Sequence, residues 1–307
     1  MRIGILSRNP ALYSTQRLAA AARARGHQAT VIDTTAVAVH IGRDDQPPGA
    51  AELLVGGLPG LAATVQLPAL DAIIPRIGAS VTFYGLAVVR RFEAAGVLTT
   101  ASADAIARSR DKLHSLQLMA QARLPIPRTA VVARPEDLYA AVQAVGGLPA
   151  VVKLIHGTQG RGVFLAHHLA TVAAMLQRVE ELNRQAIVQE FIAEASGRDQ
   201  RLIIVDNHCV AAMERRAPDG EFRANLHRGG TAIAITPDAA TVALATAAAR
   251  AHGLAVAGVD LLVSARGPLL LEVNSSPGLE GIERATGADV AGAIVAYVEK
   301  AARRSRR

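Results

Sequence analysis

Residues 256–281, VAGVDLLVSARGPLLLEVNSSPGLEG, restrict what this chain can fold into more than any other stretch. Two apolar runs, 259–263 and 269–273, flank the polar break Ser264-Ala265-Arg266-Gly267. That pattern predicts a β-hairpin. With Ser264 facing Pro268, the loop is Ala265-Arg266-Gly267, and Gly267 takes the left-handed position that a three-residue hairpin loop needs. The same register sets Asp260 opposite Glu272, and opposed residues point to one face. Glu272 and Asn274 are two apart and share that face. Two carboxylates and a carboxamide, all hard oxygen donors, should therefore converge. Inside apolar strands they are costly unless a cation neutralises them, and oxygen donors of this kind select Mg²⁺ or Mn²⁺. The plainer alternative puts Asp260 and Glu272 on a solvated face, with Asn274 opening a turn. Ser275-Ser276-Pro277-Gly278 favours the metal reading. It is a tight turn leading straight off the strand, where a rigid strand can hand ligands to a loop.

The 307 residues suffice for two or three lobes and a substantial core. Half of them are apolar, which excludes a disordered chain. No apolar run would span a bilayer without Gly, Pro or charge interrupting it, and the opening MRIGIL reads as a strand, not a signal peptide. The single Cys209 excludes an intramolecular disulfide and a cysteine-cage metal site. A cytoplasmic protein is the expectation. The net charge of +7, from 33 Lys and Arg against 26 Asp and Glu, raises nucleic acid as a partner. With no Trp and aromatics at 3%, stacking platforms are scarce. The terminal KAARRSRR supplies much of the excess and reads as a frayed tail. The other basic residues suit nucleotide phosphates or an acidic peptide. Neither a membrane nor direct nucleic-acid contact is expected.

A strand at 2–8, an Ala-rich helix at 14–25 stopped by Gly26, and a strand at 29–33 predict a parallel βαβ opening. It lacks G-x-G-x-x-G, so a dinucleotide-binding Rossmann domain is not expected. Residues 42–60 read as a loop or a weak hairpin. A strand over 70–78 carries Arg76 at its carboxyl end, where open α/β sheets bind ligands. One helix over 104–123 would put Arg108 and Lys112 on one face, as i,i+4 neighbours. Lys153 lies inside an apolar strand, where it needs an anionic partner. Directly after it, HGTQGRGV packs three glycines whose backbone N–H groups could wrap phosphate oxygens. It is no Walker-type loop, but with Lys153 it points to a nucleoside triphosphate. IVQEFI, 187–192, is either an edge strand or a hinge whose backbone reads an adenine ring. Residues 215–230 hold Arg215, Arg216, Arg223 and Arg228, whose guanidinium forks suit phosphates or carboxylates. A solvated loop is the plain alternative there.

Together, ILSRNPALYS, IIPRIGASVTFYG, ARSRDKLHSLQLMA, VVKLIHGTQGRGV, IVQEFI, ERRAPDGEFRANLHRGG and AGVDLLVSARGPLLLEVNSSPGLEGIE resemble the ATP-grasp superfamily over essentially the whole chain. The Asp, Glu-x-Asn set is shared by most ATP-grasp ligases. The N-terminal lobe and FRANLHRGG resemble the RimK-type α-L-glutamate ligases, which add glutamate to the carboxyl terminus of a small-subunit ribosomal protein. The resemblance implies an α/β (α+β) ATP-grasp fold with three parts: an N-terminal parallel α/β domain (1–100), a central lobe with a glycine-rich lid (101–186) and a C-terminal lobe with the metal site (187–307). It implies that Lys112, Lys153, Gly160, Glu190, Phe191, Asp199, Arg223, Ala224 and Asn225 hold ATP. The Glu190-Phe191 backbone would read adenine, Asp199 the ribose, and Lys112 and Lys153 the phosphates. Asp260, Glu272 and Asn274 would hold two Mg²⁺ or Mn²⁺ ions, with Glu272 bridging. Arg215, Arg223 or Arg228 would stabilise an acyl phosphate and the later oxyanion, and residues 157–162 would close as a lid. A homo-oligomer, often a tetramer, is implied. The implied activity is that of an acid–amino-acid ligase joining L-glutamate to the C-terminal glutamate of a ribosomal protein or acidic peptide. One alternative keeps the chemistry and changes the acceptor to a coenzyme or amino-acid carrier. Another is a basic nucleic-acid- or ribosome-binding protein with a vestigial site, against which the intact ATP-site motifs weigh.

Overall fold

The computed structural model describes residues 1–39, 52–55, 63–66, 69–154, 163–181, 186–195, 197–218, 221–224 and 229–305. The first elements are β1 (Arg2–Leu6), α1 (Tyr13–Ala24), β2 (Gln28–Ile32), β3 (Val37–Ala38), β4 (Glu52–Val55), β5 (Ala63–Gln66), β6 (Ala72–Pro75), α2 (Thr82–Ala94) and β7 (Leu98–Thr99). Strands β2-β1-β6-β7 form a parallel sheet in that order. β1 is buried from its second residue and β6 throughout. Such continuous apolar runs are what a parallel sheet covered on both faces requires. β3, β4 and β5 pair as a small antiparallel sheet. β4 falls inside the stretch read as a loop or weak hairpin; most of that stretch lies outside the described residues.

α3 (Ala103–Arg110) and α4 (Lys112–Gln121) replace the single helix expected over 104–123. The break is at Asp111, whose ψ of 104° is extended. Its carboxylate accepts from the His114 N–H at 3.0 Å and so caps a new helix. Arg108 and Lys112 therefore share no helix face, which corrects the i,i+4 expectation. Arg108 turns towards Gly253 and His252, while Lys112 feels the charge of Glu272.

Next come β8 (Thr129–Val132), α5 (Leu138–Ala144), β9 (Ala150–Leu154), β10 (Val163–Ala166), α6 (Leu169–Glu181) and β11 (Ala186–Glu190). Their sheet is ordered β10-β9-β11-β8, with β11 antiparallel to both neighbours. β11 is thus an inner strand, which removes the edge-strand alternative. The last part contains β12 (Arg198–Val205), β13 (His208–Arg216), β14 (Thr231–Ala234), α7 (Ala239–Ala251), β15 (Val256–Ser264), β16 (Gly267–Asn274), α8 (Glu280–Thr286) and α9 (Val290–Ser305). Its sheet runs β14-β13-β12-β15-β16 and is antiparallel.

The β15–β16 hairpin keeps the expected pairing of Asp260 with Glu272 but reaches it differently. Ser264 pairs with Gly267, so the loop is the two residues Ala265-Arg266. The Ser264 hydroxyl closes this turn, donating to Gly267 O at 2.7 Å and accepting from Arg266 N–H at 3.1 Å. Gly267 still has a positive φ, +95°. The shorter loop slips the register by one residue, and a bulge at Leu271 restores it between Leu261 and Asp260.

Two cores weld the first and last sheets together. One gathers Ile3, Ile5, Leu18, Ile203, Val205 and Ile294. The other gathers Ile73, Phe92, Ile106, Ala245, Val259 and Val273. The middle sheet has a separate core, including Val142, Val152, Leu176 and Val188. Ile203 is fully buried where β12 meets the N-terminal sheet. Ile203→Ala is expected to cost about 2–5 kcal/mol in denaturant unfolding, as a large-to-small change at a site that cannot collapse around the void.

Candidate active site

Asp260 is 3% exposed, in the middle of the C-terminal sheet. A buried carboxylate needs opposite charge, and the neighbouring strands supply it. Arg201, its cross-strand partner, grips it with two bonds, Nε to Oδ1 at 2.7 Å and Nη2 to Oδ2 at 2.6 Å. Arg215 adds Nη2 to Oδ2 at 3.0 Å. Arg215 also holds Asp199 through Nε and Nη2, at 2.6 and 2.7 Å. Burial would raise the Asp260 pKa, but Arg201 and Arg215 outweigh it and hold the carboxyl ionised below its usual range. Burial pushes the Asp199 carboxyl up, to about 6, against the pull of Arg215.

Glu272 faces Asp260 across the hairpin and is exposed, and Asn274 follows two residues on, half-buried. Among the described residues the buried Asn274 Nδ2 and the neighbouring Ser275 Oγ have no hydrogen-bond partner. Half a turn of the amide would put Oδ1, a hard donor, where Nδ2 now lies. This orphaned carboxamide beside two carboxylates suits Mg²⁺ or Mn²⁺ better than a softer metal. Among the described residues no group of three or more His, Cys, Asp or Glu could hold a metal, so Asn274 is needed for a third side-chain ligand. Gly258 lies opposite Asn274, and a Cβ there would come within 2.7 Å of the Pro277 ring. The missing side chain is what lets the Ser275-Ser276-Pro277 turn fold back over the strand.

Cations surround Glu272. Burial lowers the pKa of Lys153 to about 8, with Glu272 opposing that shift and Lys112 reinforcing it. Burial lowers Lys112 and Arg110 too, again with Glu272 opposing. Lys153 donates to Gln189 Oε1 at 2.5 Å, and Gln189 donates in turn to Thr129 Oγ1 at 2.9 Å. The partner that Lys153 was expected to need is thus a neutral carboxamide at hydrogen-bond range, with Glu272 acting through space.

Glu190, at the end of β11, is clamped by Arg128 Nη2 at 2.9 Å and Arg266 Nη2 at 2.7 Å. Burial would raise its pKa, but hydrogen bonds from Arg128 and Arg266 hold it at about 2. Arg266 sits in the turn of the β15–β16 hairpin, so this hairpin pins the end of the central sheet. The Phe191 ring meets Phe222 edge-on at 6.4 Å. Arg223 lies 5.5 Å from the Phe222 ring centroid, pairs with Glu221 and donates from Nη1 to Val163 O at 3.2 Å. Ala224 beside it is buried.

The structure therefore brings Lys112, Lys153 and Glu272 into one electrostatic cluster, and pairs Asp260 with Asp199 through Arg215. Gly160, Asn225 and Arg228, with the whole of the 157–162 stretch, lie outside the described residues. Sequence reading passed over Arg201, Gln189 and Phe222. Arg201 carried a signal: it is two residues from Asp199 on one strand and therefore on its face. Gln189 was visible as half of the polar pair in an apolar strand.

Residues 109–298 match the RimK-like ATP-grasp domain, and residues 1–106 the RimK PreATP-grasp domain. A probable alpha-L-glutamate ligase of Teredinibacter turnerae is 49% identical over 303 residues, covering 99% of this chain and 97% of that protein. A probable alpha-L-glutamate ligase of Vibrio cholerae is 49% identical over 302 residues, covering 98% and 96%. The ATP-grasp ligase PsnB, complexed with minimal precursor, Mg and ADP, superposes with a TM-score of 0.71 at 22% identity, over 97% of this chain and 98% of that one. A RimK domain ATP-grasp protein from Sphaerobacter thermophilus gives 0.69 at 22%, over 97% and 99%. These two likenesses establish the fold as ATP-grasp.

A lysine whose pKa is near 8 is largely charged at pH 7 and largely neutral at pH 9. A polyanion bound beside it raises its pKa, so binding above pH 8 must take up a proton. Calorimetric titration with MgATP is expected to give affinity about tenfold weaker at pH 9 than at pH 7. Lys153→Met is expected to bind weakly with that dependence removed.

Proposed function

Since the chain belongs to the RimK-like ATP-grasp family and is an ATP-dependent ligase, we propose that it joins L-glutamate to the C-terminal glutamate of an acidic peptide or a small-subunit ribosomal protein. The observation that carries the reading is an oxygen-donor face, Asp260, Glu272 and Asn274, set against Lys112 and Lys153. It occurs in a chain that is 49% identical, almost end to end, to proteins named probable alpha-L-glutamate ligases.

A carboxylate is a poor acyl donor, because its leaving group would be oxide. Attack by the acceptor carboxylate on the γ-phosphorus of ATP forms an acyl phosphate and releases ADP. The glutamate amine then attacks the acyl carbon, inorganic phosphate leaves, and an amide remains. Two Mg²⁺ or Mn²⁺ ions, which Asp260, Glu272 and Asn274 would hold, would offset the charge of the β- and γ-phosphates. Lys153 and Lys112 hold phosphate oxygens. Arg201 and Arg215 fix the Asp260 carboxylate. Arg223, with Arg228, stabilises the acyl phosphate and the oxyanion that follows. Glu190 and Phe191 seat the adenine, with Asp199 towards the ribose and Ala224 and Asn225 alongside. No side-chain nucleophile is required.

Three functional parts, 1–100, 101–186 and 187–307, fit this division of labour. The 157–162 stretch, including Gly160, closes over the acyl phosphate, which water would otherwise destroy. A cytoplasmic homotetramer fits the same reading.

The reading is tested by incubating the protein with ATP, Mg²⁺, L-glutamate and a panel of acceptors, following ADP and product mass. An increment of one glutamate on the acceptor, with ADP release that depends on glutamate, is the expected result. ADP release indifferent to glutamate would refute it, and product on a carrier acceptor instead would move the substrate assignment. Glu272→Gln keeps the shape of an exposed side chain and removes one charged ligand. It is expected to lower turnover roughly 10²- to 10⁴-fold while shifting unfolding free energy by about 1 kcal/mol or less.

A further inference from the structure

Arg76 and Arg110 are the two arginines of the site that none of these roles absorbs. Arg76 directly follows β6, at the carboxyl edge of the parallel sheet. Ligands of open α/β sheets bind outside that edge. Arg76 Nη2 donates to Pro277 O at 2.7 Å, in the turn just after Asn274. Arg110, the last residue of α3, donates through Nη2 to Ile77 O, one residue beyond Arg76. Both guanidinia are thus tethered by backbone carbonyls beside the metal face.

What they lack, among the described residues, is an anion at hydrogen-bond distance, Glu272 acting on Arg110 only through space. Among the described residues neither takes part in an ion pair, whereas Arg201, Arg215 and Arg223 each grip a carboxylate. Arg110 Nε is buried with no acceptor at all. Burial lowers the pKa of both groups, that of Arg76 to about 10, and the charge of Arg110 adds to the shift at Arg76. A guanidinium does not escape this cost by losing its proton at neutral pH. Two adjacent desolvated forks with unused donors match a planar carboxylate.

We propose that Arg76 and Arg110 form a subsite for the carboxylate of a substrate that does not become phosphorylated. Two sources carry that group: the side chain of the acceptor's terminal glutamate, and the incoming amino acid. The inference rests on the ligase reading and gives that reading its selectivity for dicarboxylate substrates. A neutral isostere would leave both guanidinia unanswered, which is a strong penalty against it.

The test compares wild type with Arg76→Gln, Arg76→Lys and Arg110→Gln, using MgATP, L-glutamate and two synthetic peptides that end in Glu or Gln. Thermal unfolding identifies any variant that does not fold, and the others then carry the test. The KM for one carboxylate source should rise about tenfold to a hundredfold in Arg76→Gln and Arg110→Gln, with the KM for MgATP unchanged. Arg76→Lys should recover only part of the loss, because an ammonium lacks the fork. A rise for the Glu-ended peptide, together with poor use of the Gln-ended one by wild type, assigns the subsite to the acceptor. A rise for L-glutamate assigns it to the amine substrate. Unchanged KM values, or a rise confined to MgATP, overturn the proposal. Calorimetry with L-glutamate and with the Glu-ended peptide separates the two levels of failure. A wild-type protein that binds neither overturns the ligase reading and the subsite together. Binding that both glutamine variants leave unchanged overturns the subsite alone.

Discussion

The buried charge of Asp260 is the constraint on which the C-terminal half depends. A carboxylate 3% exposed inside a sheet is tolerable only with opposite charge at contact distance. Arg201 on β12 and Arg215 on β13 supply it, and Arg215 is shared with Asp199. The four residues lie across three adjacent strands, so pairing β13, β12 and β15 in any other register would strand a charge. This polar network fixes the sheet's register where the apolar alternation of the strands alone would allow a slip. It also holds the carboxylate ionised and aimed, which is the state a divalent cation needs.

The cores divide the molecule differently from the chain. The first and last sheets share two continuous cores, and contacts such as Arg17–Glu283 at 3.0 Å and Arg25–Glu299 at 2.7 Å lace their surfaces. The central sheet is packed on its own core. Its inner strand also reaches the shared core through Ile187; Ile192 and Ala195 pack on Leu269, and polar contacts add Arg266 to Glu190 and Arg223 to Val163 O. Asp260, Glu272, Asn274 and the two arginines beside Pro277 thus lie on the part built by the first and last sheets, while Lys153 stands on the central sheet.

The hairpin was legible because its apolar runs and polar break leave little else to form, and because a period of two assigns faces without knowledge of the rest. The size of its loop was not. Ser264 can close a two-residue turn with its own hydroxyl, and the bulge at Leu271 then restores the pairing of Asp260 with Glu272. Two compensating features left the sequence pattern unchanged. The helix break at Asp111 was hidden for a related reason. Asp is an ordinary member of a charged helix surface and a strong cap, and only tertiary demand chooses between them. Arg201 and Gln189 escaped because their value lies in which strand is next to theirs, and strand order is not a local property of sequence. The inner position of β11 is the same kind of fact.

The cations around Glu272 bear on how the site fills. Lys112 lowers the readiness of Lys153 to hold a proton, and Arg110 does the same to Arg76. Glu272 opposes the shift at Lys153, Lys112 and Arg110. Asp260 adds little negative field, since its charge is already answered by two arginines. This side of the site therefore gathers the positive charges of Lys153 and Arg110 around Glu272. A polyanion entering first relieves the repulsion and raises the Lys153 pKa. A divalent cation entering first would add to that repulsion. In the site as proposed, electrostatics thus favours a nucleotide that arrives with its metal already bound, as a complex still net negative.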